Sequence, residues 1–303
     1  MAKPLVTLIT PCFNGAENLR PYLNGVLSQT YPNVQYIFVN DGSTDDTENI
    51  IMSVADKIRA KGWDFVYIKQ PNGGQAAAVN NALQHVKGKY FSQIDSDDII
   101  YPEYLEKYCE FLETHPDCKF CYARVAIARE DDIAHPYRIQ FRKITNDATD
   151  NLFQDFIDIK NVPPLAFYMA NTAAFRKVVK LPFYENRGGQ NWQILLPLSY
   201  HYKCGYIDEV LATCIERSDS HSHTYDKNRT DKLKQILFNT ISRLDISDGE
   251  KHFWYDRVTN NYLSTLTHKK VFMLFNFIPF ITIKRHRVYL FGFIRIGKIK
   301  GLI

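Results

Sequence analysis

Tyr90-Phe91-Ser92-Gln93-Ile94-Asp95-Ser96-Asp97-Asp98 carries an aromatic and aliphatic strand straight into three carboxylates within four residues. If Tyr90 to Ile94 is a buried strand, Asp95 and Asp97 project alike from its C-terminal end, where open α/β sheets place their ligands. Two hard oxygen donors there can hold Mg²⁺ or Mn²⁺ and leave coordination positions free for a diphosphate. The same carboxylates also suit a solvated acidic turn ahead of a helix expected over Pro102 to Glu113. The rest of the chain decides between the two.

Upstream, strands and helices alternate. Val6 to Ile9 is a short apolar run ending in Thr10-Pro11-Cys12-Phe13-Asn14-Gly15, and Glu17 to Gln29 then repeats Leu19, Leu23, Val26 and Leu27 at helical spacing. Tyr36 to Val39 gives a second strand, and Asp41-Gly42-Ser43-Thr44-Asp45-Asp46-Thr47 turns into a helix from Glu48 with Ser43 or Thr44 as cap. Phe65 to Lys69 is a third strand, followed by Pro71-Asn72-Gly73-Gly74 and a helix from Gln75 to Lys87. Four strands alternating with helices predict a mostly parallel sheet covered on both faces, with its strand-end loops converging on one rim. Singly, the Asp41 and Asn72 loops read as ordinary turns. At the same ends of successive strands as the acidic cluster, they form a site for a base, a ribose and a metal diphosphate.

Composition sets the outer limits. The 303 residues, 45% hydrophobic, provide for one large α/β domain and an appendage. The formal charge of +4 hides a split, because Arg257 to Ile303 holds nine Lys or Arg and no acid, whereas the first 256 residues carry 28 Lys and Arg against 33 Asp and Glu. An acidic body with a basic tail points to an anionic partner for the tail alone. The six cysteines, 12, 109, 118, 121, 204 and 214, follow no framework spacing, and Pro4 leads directly into the first strand without a secretory signal, so a reducing cytoplasm is expected. Cys118 and Cys121 form a lone C-x-x-C with no second pair at zinc-ribbon distance, which reads as strand packing. There is no G-x-G-x-x-G and no Walker sequence, so the charge of a bound diphosphate falls to a metal.

Thr10-Pro11-Cys12-Phe13-Asn14, Val39-Asn40-Asp41-Gly42-Ser43-Thr44-Asp45-Asp46-Thr47, Asn72-Gly73-Gly74 with Asn80, and Asp95-Ser96-Asp97-Asp98, in this order, resemble the motifs of family 2 glycosyltransferases of GT-A fold. The resemblance covers roughly residues 4 to 215. It implies an α/β, Rossmann-like domain that transfers a sugar from a nucleotide diphosphate, UDP foremost, with inversion at the anomeric carbon. It also implies Pro11, Phe13 and Asp41 as nucleoside contacts, with Phe13 near the base, and Asn72, Gly74 and Ser96 beside the nucleotide. Asp95 then lies near ribose and metal, and Asp97 takes the metal. Asp98 is either a further ligand or a cap for the following helix.

The acceptor side departs from the family. Asn171 to Arg176 resembles its acceptor-side strand, and Arg187-Gly188-Gly189-Gln190-Asn191-Trp192-Gln193 precedes an apolar helix, Ile194 to Tyr202. Relatives usually read Gly-Glu-Asp here, with the Asp as general base. Gln190 and Asn191 stand in that place, and an amide cannot take the acceptor proton at neutral pH. Glu185, five residues before Gln190, is the nearest carboxylate a loop could bring in, with Asp208 and Glu209 beyond the helix. Gln190, Asn191 and Trp192 can instead hold the acceptor by hydrogen bonds and stacking, and Trp192 can equally anchor the helix. After a strand over Gly205 to Ile215, the resemblance implies a histidine that completes the metal shell, His221 or next His223, and a polar loop with incidental histidines reads equally from the residues.

Two amphipathic helices are expected over Lys227 to Leu244 and Lys251 to Thr267, followed by a thirteen-residue apolar run, Val271 to Ile283, broken by Pro279 and too short to span a bilayer. Lys284-Arg285-His286-Arg287 and a basic, aromatic stretch to Ile303 suit an anionic membrane surface, and also a packed C-terminal layer with solvated charges. The expected organisation is therefore a GT-A domain over 1-224 and a helical, basic-aromatic extension over 225-303. The expected activity is sugar transfer to a saccharide or lipid-linked acceptor, at the inner face of the membrane and without nucleic acid. A non-catalytic sugar-nucleotide binder or scaffold subunit is the alternative, and a nucleotidyltransferase a third, disfavoured by the missing glycine-rich basic loop.

Overall fold

The computed structural model describes residues 2–143, 151–185, 189–217, 227–267, 269–274, 278–284, 287–290 and 294–298. It divides into two compact units, Met1–Phe156 with Asn161–His223, and Ile157–Lys160 with Thr224–Ile303.

The first unit is built on β1 (Val6–Cys12), β2 (Val34–Asn40), β3 (Asp64–Lys69) and β4 (Tyr90–Gln93), which run parallel in the order β3-β2-β1-β4. Every residue of β1 and β2 is buried, as expected for central strands covered on both faces. Between them run α1 (Leu19–Ser28), α2 (Thr47–Ala60) and α3 (Gln75–Leu83). Helix α1 buries Leu19, Tyr22, Leu23 and Val26 at i, i+3, i+4 and i+7, while Gly25 lets its backbone close on the chain at Ile100, where a β-carbon would stand 2.7 Å from the carbonyl oxygen.

Beyond β4 the sheet stops being parallel. It continues through β5 (Ile99–Ile100), α4 (Tyr104–Thr114), β6 (Cys118–Arg129), β7 (Arg138–Gln140), α5 (Leu152–Asp158), β8 (Tyr168–Asn171), α6 (Thr172–Val178), α7 (Gln190–His201) and β9 (Lys203–Glu216). The short β8 lies antiparallel between β4 and β6, whereas the long β6 and β9 pair in parallel and complete a nine-stranded sheet with β5 and β7. Cys118 and Cys121 are buried on β6, and all six cysteines are free thiols.

The second unit opens with α8 (Lys227–Ser242) and α9 (Asp248–Thr267), with Ile236, Leu237, Ile241 and Val258 buried. Asp158 is bound to α9 by Arg257 through two 2.6 Å hydrogen bonds and by Asn261 through one of 2.7 Å. The expected helical extension ends at Thr267. From Lys269 the chain forms β10 (Lys269–Leu274), β11 (Ile278–Lys284), β12 (Arg287–Leu290) and β13 (Ile294–Lys298), an antiparallel four-stranded sheet. Val271-Phe272, Ile281-Thr282-Ile283 and Val288-Tyr289 are β-branched and aromatic, and such residues favour a pleated surface. Among the described residues no helix is long and apolar enough to cross a membrane.

Candidate functional site

Two loops at the carboxyl ends of β1 and β2 are laced together by side chains that local pattern reads as helix caps. Ser43 Oγ accepts from Asn14 N at 3.0 Å, Thr47 Oγ1 from Gly15 N at 2.9 Å, and Asp45 Oδ2 from Ala16 N at 2.9 Å. Asn14 answers by accepting from Thr44 N at 2.8 Å. Neither Ser43 nor Thr44 therefore caps α2. Asp45 serves the first turn instead, with Oδ1 accepting from Thr47 N at 3.0 Å.

Asp41 ties in the third loop. Its Oδ1 accepts from Gln70 Nε2 at 2.8 Å and Gly73 N at 3.0 Å, and its Oδ2 accepts from Gly74 N at 2.8 Å. Asn72 Nδ2 closes on the Asp41 carbonyl at 3.0 Å. Gly42 has φ of +74°, and a β-carbon there would lie 2.6 Å from Asn72 N, so only glycine fits this crossing. Gly74, at φ +86°, stands immediately ahead of α3.

The fourth loop leaves β4 where Ile94 N donates to Ile9 O at 3.0 Å. Asp95 Oδ1 accepts from Gln75 Nε2 at 2.5 Å and Gln93 Nε2 at 2.8 Å, which leaves Oδ2 outside these bonds. Burial pushes the Asp95 carboxyl up to about 7, the Asp97 charge adds to this, and the two glutamine bonds oppose it. Asp97 meets Arg217 of the segment after β9, with Nη1 to Oδ2 at 3.5 Å. Asp98 is no cap for α4. It is buried, its Oδ1 accepts from Ile215 N at 3.1 Å, and burial with the Asp97 and Asp95 charges holds its carboxyl well above the usual range.

These loops enclose one cavity of about 450 Å³, within the range of small-ligand sites. Pro11, Phe13, Asp41, Asn72, Gly74, Asp95, Ser96 and Asp97 all line it. Phe13 is 51% exposed and lines the cavity, so it does not fill the core. Asp95, raised first by burial and then by the Asp97 charge, keeps Oδ2 outside its glutamine bonds, and with Asp97 it offers two hard-oxygen donors; among the described residues no group of three or more His, Cys, Asp or Glu is placed to hold a metal ion.

The acceptor-side candidates lie elsewhere. Helix α7 begins at Gln190, directly after left-handed Gly189 at φ +77°, so Gln190 and Asn191 belong to its first turn and not to a loop. Both are buried, and among the described residues Gln190 Oε1 and Asn191 Oδ1 have no hydrogen-bond partner. Gln190 Nε2 reaches only to 3.5 Å from Gln93 Oε1, a long contact. Trp192 is turned into the core with its ring edge-on to Phe156, 5.4 Å between centroids, so it anchors the helix and does not face an acceptor across the cavity. Glu185 is exposed and follows Tyr184, whose backbone is held at both ends by the Gln193 amide at 2.7 and 3.1 Å. None of these four lines the cavity. His221 lies outside the described residues.

Three residues that sequence reasoning passed over take part in the site. Gln93 precedes Asp95 by two, so strand alternation puts it on the same side, and Gln75 is the first residue of the helix after Gly74. Among the described residues that line the cavity, Arg217, just after β9, is the one cation.

The family model for glycosyl transferase family 2 matches residues 7–179. An uncharacterized glycosyltransferase of Rickettsia prowazekii is 42% identical over 109 residues, 36% of this chain and 32% of that protein. A candidate teichuronic acid biosynthesis glycosyltransferase of Bacillus subtilis, TuaG, is 35% identical over 129 residues, 43% of this chain and 50% of that protein. The chain thus spans about a third to a half of these curated relatives. Among solved structures, residues 1-349 of S. aureus TarS in complex with UDP-GlcNAc align with a TM-score of 0.60 at 16% identity, over 86% of this chain and 72% of that one. The mannosyltransferase PcManGT of Pyrobaculum calidifontis, in complex with GDP-Man and Mn²⁺, aligns with a TM-score of 0.54 at 14% identity, over 88% and 76%. The fold is the mixed α/β architecture of the GT-A glycosyltransferases.

Proposed function

We propose that this chain, which belongs to glycosyl transferase family 2, moves a sugar from a UDP-linked donor to an acceptor hydroxyl with inversion at the anomeric carbon. The observation that carries this reading is the single cavity in which the Asp41 loop and the Asp95-Ser96-Asp97 turn face a common space. In it, the exposed Phe13 ring stacks on the base and Asp41 Oδ2, which holds only the Gly74 bond, accepts from its edge. Asn72 and Gly74 line the nucleotide, and Ser96 lies beside it.

Asp95 Oδ2 and Asp97 would hold Mn²⁺ or Mg²⁺, with His221 as a third ligand; bound there, the ion supplies positive charge against the leaving diphosphate. Gln75 and Gln93 fix Asp95 by its other oxygen. Arg217, against Asp97, adds a second positive charge on the diphosphate side. The acceptor oxygen forms its bond to the anomeric carbon as the bond from that carbon to the diphosphate oxygen breaks. The acceptor proton passes to Glu185, because the amides of Gln190 and Asn191 cannot take it. The acceptor is a growing surface polysaccharide or a lipid-linked saccharide, which accords with the assignment of TuaG to teichuronic acid synthesis. The basic tail keeps the enzyme at the inner face of the membrane, where such acceptors lie.

A second reading, a sugar-nucleotide binder without turnover, rests on the same Gln190 and Asn191, two buried amides where relatives place acids. Incubation with UDP-sugars and Mn²⁺ in the presence of a lipid-linked or polysaccharide acceptor separates them. Release of UDP together with glycosylated acceptor supports transfer, and tight UDP binding without release supports the binder.

A further inference from the structure

The register of the last sheet brings four cations into one line. Lys269 pairs with Lys284, Lys284 with Arg287, and Arg287 with Lys298, so each of the four strands contributes one basic residue to a single transverse row. Directly opposed residues share a face of a sheet, and like charges placed so destabilise it. No Asp or Glu occurs in the sequence after Asp256 to relieve the repulsion locally. With about 4.8 Å between neighbouring strands, the row runs for roughly 14 Å.

The next rows differ. One step along, Lys270 pairs with Ile283, Ile283 with Val288, and Val288 with Gly297, so that row holds one charge among apolar positions. The charge is thus gathered by register and not spread along the tail. The sequence also repeats at a spacing of sixteen residues: Leu274-Phe275-Asn276-Phe277-Ile278 returns as Leu290-Phe291-Gly292-Phe293-Ile294, and Ile283-Lys284 returns as Ile299-Lys300. The sequence of the tail thus repeats the same succession of aromatic and basic residues.

We infer that Lys269, Lys284, Arg287 and Lys298 form a docking row for the phosphate headgroups of anionic lipids. A line of positive charge that costs sheet stability by itself is offset when phosphates lie along it. Apolar and aromatic residues interleaved with the cations match a lipid surface better than a soluble polyanion, which offers nothing to bury them. The inference rests on the inner-face localisation proposed above and names its surface, and it is independent of sugar transfer.

The test is co-sedimentation of the full chain with phosphatidylglycerol vesicles, with phosphatidylcholine vesicles as the neutral reference. The variant Lys284→Gln/Arg287→Gln should lose binding by about thirtyfold, the product expected for two basic residues at an anionic surface. Lys270→Gln/Arg295→Gln removes the same charge from other rows, Arg295 pairing with Tyr289, and should lose no more than about fivefold. Retained UDP binding in both variants shows that the first unit is folded and keeps this result separate from the donor reading. Equal losses in the two variants would overturn the row. Binding to a soluble acidic polysaccharide with none to phosphatidylglycerol would overturn the lipid as occupant.

Discussion

Asp41 Oδ2 accepts a 2.8 Å hydrogen bond from Gly74 N, and this contact joins the end of β2 to the residue that opens α3. Three donors from the Gln70–Gly74 segment converge on a carboxylate that is only 2% exposed, so this wall of the cavity is fixed by the chain's own hydrogen bonds.

Asp41→Asn keeps the volume but turns an amide donor toward backbone donors. Stability should fall by about 2–3 kcal/mol, since hydrogen bonds to a buried charge are the costly ones to lose. UDP affinity should fall with it by at least about tenfold, because the loop that lines the nucleotide is no longer held. Denaturant titration and calorimetry on the same preparation check both. Unchanged UDP affinity in a destabilised variant would confine Asp41 to a structural role.

Asp97→Asn should abolish the dependence of UDP binding on Mn²⁺, so that chelator no longer changes the affinity measured by calorimetry. Gln75→Ala should act more gently, lowering Mn²⁺ affinity by about 10–100-fold, because it removes a partner of Asp95 and not a ligand. A wild-type chain whose UDP affinity ignores chelator would remove the metal from the scheme.

The parallel half of the fold was legible because β1 and β2 are buried on both faces and read as unbroken apolar runs punctuated by Gly, Asn and Asp. The cavity's lining was legible for the same reason: the loops that line it follow those runs. What Ser43 and Asp45 do was not, since a hydroxyl or carboxylate before a helix looks like a cap whether it bonds its own helix or a loop 29 residues away. Helix α7 gave a second difficulty. Gly188-Gly189 read as loop, yet a left-handed Gly189 starts the helix at Gln190 and carries Asn191 and Trp192 inward. In the tail, short apolar segments between charges fit helix, strand or membrane surface equally by pattern, and only pairing partners distinguish them.

Asp158 offers a pH signature for the second unit. Burial alone would raise its carboxyl, but hydrogen bonds from Arg257 and Asn261 more than offset this and hold it below the usual carboxylate range. A carboxyl depressed on folding adds stability above its unfolded value near 3.9 and loses it as pH falls through the folded value. Asp158→Asn should therefore cost about 1–3 kcal/mol at pH 7. The difference from wild type should shrink as pH falls below the unfolded value near 3.9 and close once pH has passed below the lower folded value, where the wild-type carboxyl takes up its proton. Thermal unfolding followed across that range checks it, and a gap that persists in acid would mean that shape, not charge, binds Arg257.

Glu185 decides whether the proton scheme holds. It is exposed and follows Tyr184, whose backbone N–H and carbonyl are both bonded by the Gln193 amide, so the chain enters Glu185 from a fixed point. If it takes the acceptor proton, Glu185→Gln should lower turnover by about 10²–10⁴-fold while UDP affinity stays at the wild-type value, because donor and base contacts are made by different loops. A parallel fall in UDP affinity would instead mark a folding defect, which Glu185→Asp should then share. Turnover near normal in Glu185→Gln would move the proton to Asp208, to Glu209 or to a group on the acceptor itself. Asp208 is engaged by Arg124 and by the Tyr206 hydroxyl, and Glu209 by Lys107, so each would have to leave a partner to serve. Because these are exposed ion pairs worth about 0–1 kcal/mol, they favour Glu185 as the first variant to measure only slightly, and Asp208→Asn and Glu209→Gln complete the set.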